Sequence, residues 1–136
     1  MQILKVIACL LDYPDQSLID HRAELATLVF TADIDPTLRD GLLSFLELRV
    51  SQDLMQWQSE YDGLFERGRS LALWLFEHVH GESRDRGQAM VDLVAQYRQA
   101  DLEISQHELP DYLPLFLEFL STQGRDNAVS WLLDVE

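Results

Sequence analysis

Apolar side chains recur at helical spacing along almost the whole chain. Matches at positions i, i+3, i+4 and i+7 are typical of amphipathic helices, in which one stripe faces a core. A sustained strand-like alternation and an Asn-Gly or Asp-Gly hairpin are both lacking. The spacing predicts helices over about 3–11, 18–29, 36–50, 52–65, 69–79 and 84–99, a seventh after Pro110 and a last one after Asp126.

Helix boundaries are marked by residues that cap or interrupt helices. Asp35 before Pro36 is an N-cap followed by proline at the first helical position, and Gly124 can end the seventh helix. The segment 69–79 is apolar nearly all round, which predicts a centrally buried helix. We therefore predict an all-α fold, a single helical bundle domain of about eight helices spanning residues 1–136. The chain ends in an apolar helical pattern around Trp131, which is typical of a domain truncated at its C-terminus.

The net charge of the chain favours some classes of binding partner over others. The sequence has 24 acidic and 10 basic residues and a net charge of −14. Such a surface repels phosphate backbones, so we expect no nucleic acid partner. It attracts basic peptides, although an acidic surface can also serve only solubility.

Composition also indicates the compartment. Cys9 is the single cysteine, so no disulfide within the chain is possible and a reducing compartment fits. No run reaches the roughly 20 apolar residues of a membrane span, and the N-terminus lacks a signal-peptide cleavage site. We therefore expect a cytoplasmic protein that does not insert into a membrane.

Residues 78–87, HVHGESRDRG, contain the strongest candidates for chemistry. His78 and His80 point about 200° apart on a helix, which does not suit one shared metal ion. Ser83 has a histidine and a carboxylate nearby, but an N-cap role explains it without a catalytic triad. A small hydrolase or a metal-dependent enzyme using this loop is therefore the alternative, and we prefer a joint between helices with a recognition role. We expect no catalytic residues, no metal site and no cofactor.

Three stretches resemble a known family. They are Tyr61-Asp-Gly-Leu64-Phe65, FEHVHGESRDRGQAMVDL at 76–93 and ELPDYLPLFLEFL at 108–120. The opening Leu10-Leu11-Asp12-Tyr13-Pro14-Asp15 is also similar. The chain resembles the nitrate reductase assembly chaperones, the NarJ-type branch of the TorD/DmsD redox-enzyme maturation family.

This resemblance implies an all-helical cytoplasmic chaperone without catalysis. It would bind the N-terminal segment of the apo nitrate reductase catalytic (α) subunit. It would hold that subunit for insertion of molybdenum cofactor and iron–sulfur clusters before membrane docking. The resemblance also implies molybdenum cofactor delivery proteins as further partners. A permanent structural (delta) subunit of nitrate reductase is the other alternative.

The resemblance also implies a peptide-binding site. A basic amphipathic segment would lay its apolar face in a groove between helices and meet acidic residues at the rim. Glu82, Asp85 and Asp111 are the expected charge partners. Many relatives have an Asp-His pair where this chain has Asp111 and Tyr112. Core packing is the alternative for Leu64 and Phe65, and a solvated helix start is the alternative for Arg84 and Arg86. The predicted peptide-binding residues are Tyr61, Leu64, Phe65, Glu82, Ser83, Arg84, Asp85, Arg86, Asp111 and Tyr112.

Overall fold

A computed structural model describes residues 1–66, 73–75, 85–102, 104 and 109–134. The predicted all-α class is confirmed, since these residues form α-helices, one π-helical segment and one isolated β-bridge. In the described residues the helices are α1 (Gln2–Leu11), α2 (Gln16–Asp20), α3 (Arg22–Thr31), α4 (Pro36–Ser51), α5 (Leu54–Tyr61), α6 (Asp85–Gln99), α7 (Leu113–Ser121) and α8 (Arg125–Asp134). The π-helical segment, Asp62–Glu66, directly continues α5.

Local chemistry explains where several helices begin and end. The Asp35 carboxylate accepts a hydrogen bond from the Thr37 amide at 2.8 Å, with Pro36 at the first helical position, as predicted. The Asp15 carboxylate accepts one from the Leu18 amide at 2.9 Å and caps α2. Gly124 has φ +78°, in the left-handed region that glycine adopts readily, between α7 and α8.

The predicted helix 18–29 is two helices in the structure. The chain breaks at His21, which has φ −99° and ψ 14°. The Nδ1 atom of His21 lies 2.7 Å from the Ser17 carbonyl oxygen, which also accepts the His21 backbone N–H at 3.0 Å. A side chain that shares a helix carbonyl in this way competes with regular helical bonding, so apolar spacing alone misses the break.

The predicted helix 69–79 is only partly within the described residues. Residues 73–75 are described, and Trp74 forms an antiparallel bridge with Tyr112 instead of continuing a helix. The Leu75 amide donates to the Asp111 carbonyl at 2.8 Å, and the Leu113 amide donates to the Leu73 carbonyl at 2.6 Å. The most apolar helix in the described part of the chain is therefore α7.

The core forms where α7 packs against α1, and α6 and α8 add aromatic rings. Six residues of α7 are buried, and α1 contributes five more. The Phe119 ring lies 5.0 Å from the Tyr97 ring of α6 and 5.7 Å from the Trp131 ring of α8. This packing fixes the ends of α1 and α7, where the candidate site lies.

Candidate functional site

Three distant segments meet at the hydroxyl group of Tyr61. This hydroxyl lies 2.9 Å from the Leu11 carbonyl oxygen at the end of α1, and 3.0 Å from the Tyr112 hydroxyl. The Tyr112 hydroxyl in turn lies 2.9 Å from the Asp12 carboxylate. We call this arrangement of Leu11, Asp12, Tyr61 and Tyr112 the hydroxyl chain. It joins the ends of α1 and α5 to the start of α7.

The hydroxyl chain has three oxygen–oxygen contacts but only two phenolic protons to fill them. If Tyr61 donates to Leu11 and Tyr112 donates to Asp12, no phenolic proton lies between the two hydroxyl oxygens. If Tyr61 lost its proton, its oxygen would face the Leu11 carbonyl oxygen, and if Tyr112 lost its proton, its oxygen would face the Asp12 carboxylate. Burial, the bond to Tyr61 and the Asp12 charge all raise the pKa of Tyr112. The Tyr112 phenol therefore stays protonated at neutral pH.

Aromatic rings surround the hydroxyl chain. The Tyr61 ring is 4.8 Å from the Phe65 ring, and it meets the edge of the Tyr13 ring at 5.4 Å. The Tyr112 ring is 5.9 Å from the Trp74 ring. Tyr13 is 46% exposed, so this cluster reaches the surface. We call Tyr13, Tyr61, Phe65, Trp74 and Tyr112 the aromatic cluster.

The structure brings together several of the predicted peptide-binding residues. The Tyr61 and Tyr112 hydroxyl oxygens lie 3.0 Å apart, and Phe65 packs on Tyr61. Tyr61 itself is buried, with its hydroxyl on polar partners. Leu64 is 46% exposed, which argues against the core alternative for that residue, and Phe65 is half-buried.

Asp111 does not lie at a surface rim as expected. Its relative exposure is 0%, because the chain around it pairs with residues 73–75 and leads into the buried helix α7. Burial, followed by the Asp111 charge, raises the pKa of Tyr97, whose hydroxyl donates to the Pro110 carbonyl at 2.7 Å. Asp111 is therefore an interior carboxyl group and not a rim charge.

The polar loop is only partly described. Asp85 is exposed and Arg86 is half-buried in the first turn of α6. Glu82, Ser83 and Arg84 lie outside the described residues, as do His78 and His80. The peptide-binding role of this loop stays a prediction, as does the expectation that it holds no catalytic residue.

Four members of the site were not among the predicted binding residues: Leu11, which contributes its carbonyl, and the side chains of Asp12, Tyr13 and Trp74. Asp12 and Tyr13 belong to the N-terminal stretch on which the family resemblance partly rested, so a signal for them was present. Trp74 was assigned to the interior of a helix. Its contact with Tyr112 depends on pairing between segments far apart in sequence, which helical periodicity does not predict.

Two further findings concern the described residues alone. None of the helices there has the length and apolar character that crossing a membrane requires. In the same ranges, no three side chains of His, Cys, Asp or Glu are grouped as a metal site would need.

Comparison with known proteins identifies relatives over most of the chain. The nitrate reductase molybdenum cofactor assembly chaperone NarJ of Escherichia coli K12 is 44% identical over 133 residues, covering 97% of this chain and 56% of the relative. The probable nitrate reductase molybdenum cofactor assembly chaperone NarW of the same organism is 46% identical over 137 residues, covering 99% and 56%. The probable NarJ chaperone of Bacillus subtilis is 34% identical over 126 residues, covering 91% and 67%.

The chain thus spans little more than half the length of the two Escherichia coli relatives. A family model described as nitrate reductase delta subunit matches residues 31–130, which include α5, the π-helical segment and α7. The chain belongs to the nitrate reductase delta subunit family.

Proposed function

We propose that the chain acts in the cytoplasm as an assembly chaperone for nitrate reductase. It binds the N-terminal segment of the apo catalytic subunit and holds that subunit while molybdenum cofactor and iron–sulfur clusters are inserted. It performs no turnover. The relatives named as nitrate reductase molybdenum cofactor assembly chaperones support this proposal.

One structural feature of the candidate site supports the proposed binding of a peptide. Leu64 is 46% exposed in the π-helical segment, three residues after the buried Tyr61. π-Helical turns are rare and are frequently found at functional sites. Exposed Leu64, together with exposed Tyr13 on the ring of Tyr61, offers an apolar anchor to the nonpolar face of an incoming helix.

Charge favours a basic client segment. Asp12 and Asp15 are exposed next to Tyr13, and the chain as a whole has a net charge of −14. Exposed charges steer association and are screened by salt over about 10 Å at 0.1 M ionic strength. The client segment that fits is therefore amphipathic, with lysine or arginine on its polar face.

The direct test is a titration with a peptide from the N-terminus of the catalytic subunit. We expect one peptide to bind per chain, more weakly as salt rises, with the largest NMR shift changes at the aromatic cluster. A scrambled peptide of the same composition controls for nonspecific attraction. Failure of the native peptide to bind at low salt overturns the proposed function.

Leu64→Ala separates binding from stability. Because Leu64 is 46% exposed, we expect a loss of less than about 1 kcal/mol in unfolding free energy, with a clear loss of peptide affinity. Leu48→Ala is the matched control, since Leu48 is 59% exposed on α4. Calorimetric titration and urea unfolding of both variants give the two quantities. Equal peptide affinity in the two variants contradicts a binding role for Leu64.

A second candidate is a permanent structural subunit, which the delta-subunit description of the family favours. The two roles differ in the lifetime of the complex. A chaperone leaves when the enzyme matures, whereas a subunit stays. Co-purification with the cofactor-loaded enzyme at fixed stoichiometry supports the subunit, and recovery only with the apo catalytic subunit supports the chaperone.

A further inference from the structure

A cavity of about 330 Å³ lies between α1 and α7, beside the hydroxyl chain. Its apolar wall is formed by Ala8, Leu102 and Leu115, and its charged groups are Lys5, Asp12 and Glu118. Pockets that bind small ligands begin at about this volume and combine an apolar wall with few polar groups. The cavity therefore has the size and composition of a site for one side chain.

Helical geometry explains why these groups face the same space. Lys5 and Ala8 are separated by three residues and follow one stripe of α1, which Asp12 continues as the C-cap. Leu115 and Glu118 are separated by three residues and follow one stripe of α7. Because α1 and α7 pack together, the two stripes enclose one space that apolar and charged groups share.

Asp12 and Tyr112 belong to both the cavity and the hydroxyl chain. The Oδ1 atom of Asp12 accepts the Tyr112 hydroxyl and the Tyr13 backbone N–H, each at 2.9 Å. Within the described part of the chain, its Oδ2 atom accepts no hydrogen bond. The cavity thus adjoins the aromatic cluster and has carboxylate capacity for a donor.

We infer that this cavity receives one arginine or lysine side chain of the client segment, with Asp12 and Glu118 holding its charged group. The inference rests on the proposed function and extends it to a defined subsite. The aliphatic stem of such a side chain packs on apolar residues while its charged end stays near solvent. That division matches an apolar wall with exposed carboxylates at its edge.

The local electrostatic field agrees with a cationic occupant. The pKa of the Cys9 thiol, in the wall of the cavity, is raised by burial and next by the Glu118 carboxylate. Lys5 opposes this rise, while Asp12 and Asp15 add to it. The carboxylates therefore outweigh the single ammonium group. An anionic side chain would face this negative field, so a cationic one fits the cavity better.

A double-mutant cycle tests the subsite. Each basic residue of the peptide is replaced in turn by glutamine, and each peptide is titrated into the wild-type chain and into Glu118→Gln. We expect Glu118→Gln to weaken the native peptide about two- to fivefold, as for a partly exposed ion pair. For one glutamine-substituted peptide the same change should have no effect. Asp40→Asn controls for net charge, because Asp40 is exposed on α4.

The variant Lys5→Gln should change peptide affinity in the opposite direction to Glu118→Gln. Removing the competing ammonium should tighten binding of the native peptide by a similar factor, which a merely structural change would not do. Weaker binding in Lys5→Gln, or equal losses in Glu118→Gln for every peptide, overturns the subsite while the proposed function stands. Absence of binding to the wild-type chain overturns both.

The single thiol gives an independent readout. Cys9 is half-buried in the cavity wall, so a side chain in the cavity covers it. We expect a saturating concentration of the native peptide to slow alkylation of Cys9 by iodoacetamide at least about threefold. This corresponds to about two thirds or more of the chains having the cavity occupied. The peptide identified by the cycle should bind without this protection. Equal protection by both peptides contradicts occupancy by that basic side chain.

Discussion

Tyr61 and Tyr112 each combine a packed ring with a hydroxyl on polar partners. Buried phenols are usually hydrogen-bonded, because an unpaired buried hydroxyl has a free-energy cost. Here the partners come from α1, so two side chains hold the end of that helix against α5 and α7. The residues that we propose for peptide binding are therefore also structural.

Tyr61→Phe measures the strength of this arrangement. The change removes the bond to the Leu11 carbonyl but keeps the ring, so we expect unfolding free energy to fall by about 0.5–1.5 kcal/mol. Tyr13→Phe is the control, since Tyr13 is half exposed and its ring contact with Tyr61 is retained. Urea unfolding measures both. Equal stability of the two variants contradicts a stabilising role for the hydroxyl chain.

Alkaline pH should destabilise the fold through Tyr97 and Tyr112. Their pKa values are raised above the ordinary 10.0 in the folded state, chiefly by burial. Below about pH 10 both states keep the protons, and above it the unfolded state releases them first. Unfolding free energy should therefore fall as pH rises above about 10.

Urea unfolding between pH 8 and about pH 11 gives this slope. The double variant Tyr97→Phe, Tyr112→Phe should have a flatter profile than the wild-type chain. An unchanged slope contradicts the assignment to these two phenols.

The sequence identified two tyrosines of the site, Tyr61 and Tyr112, but neither Tyr13 nor the environment of the two. Tyr61 and Tyr112 followed from the family resemblance, whereas their shared bond depends on tertiary packing. The expectation for Asp111 was wrong because carboxylates are almost always at the surface, and residue type alone does not reveal an exception.

At the scale of elements, the π-helical segment gives the site its shape. Asp62–Glu66 follows α5 without interruption and changes the direction of the side chains after Tyr61. In a regular helix Leu64 and Phe65 would follow the buried stripe of Trp57 and Tyr61. The π-helical turn instead leaves Leu64 exposed while Phe65 remains on Tyr61.

Two glycines should respond to alanine in opposite directions. Gly41 lies inside α4, and a Cβ there meets nothing within 4 Å, so Gly41→Ala should stabilise by about 0.5–1 kcal/mol. Gly124 also has space, but its φ of +78° disfavours a Cβ. Gly124→Ala should therefore destabilise by about 1 kcal/mol or more. Thermal unfolding of both variants measures the two changes in stability. Stability changes of the same sign contradict the explanation from backbone conformation.

Local signals predicted elements better than connections between them. The Asp35–Pro36 start of α4 depends on neighbouring residues, and the structure confirms it. The predicted end at Gly124 is displaced, because α7 ends at Ser121 with Thr122 as its C-cap and Gly124 directly precedes α8. Neighbouring residues did not predict the π-helical segment or the Trp74–Tyr112 bridge. The π-helical segment departs from the 3.6-residue period by which helices are found, and the bridge joins segments that are far apart in the sequence.

At the scale of the whole molecule, Phe119 links three helices. Its ring contacts Tyr97 of α6, Phe116 of α7 and Trp131 of α8, and its exposure is 1%. The sequence predicted α7 through its apolar spacing. It did not predict that α7 is the most buried of the described helices, with six buried residues.

Phe119→Ala should lower unfolding free energy by about 3–5 kcal/mol, because it leaves a cavity that three helices share. Phe30→Ala is the matched control, since Phe30 is 68% exposed on α3 and should change stability by less than about 0.5 kcal/mol. Urea unfolding followed by circular dichroism and by tryptophan fluorescence measures both. Similar losses in the two variants contradict the central role of α7.

Tyr112 has a backbone role and a side-chain role at the same time. Its backbone lies opposite Trp74 in the bridge, and its hydroxyl lies between Asp12 and Tyr61. A shift of the Tyr112 backbone therefore also moves its phenol. A change in the segment 73–75 can reach the ends of α1 and α5 through this one residue, whereas those two ends are also joined directly by the Tyr61–Leu11 hydrogen bond.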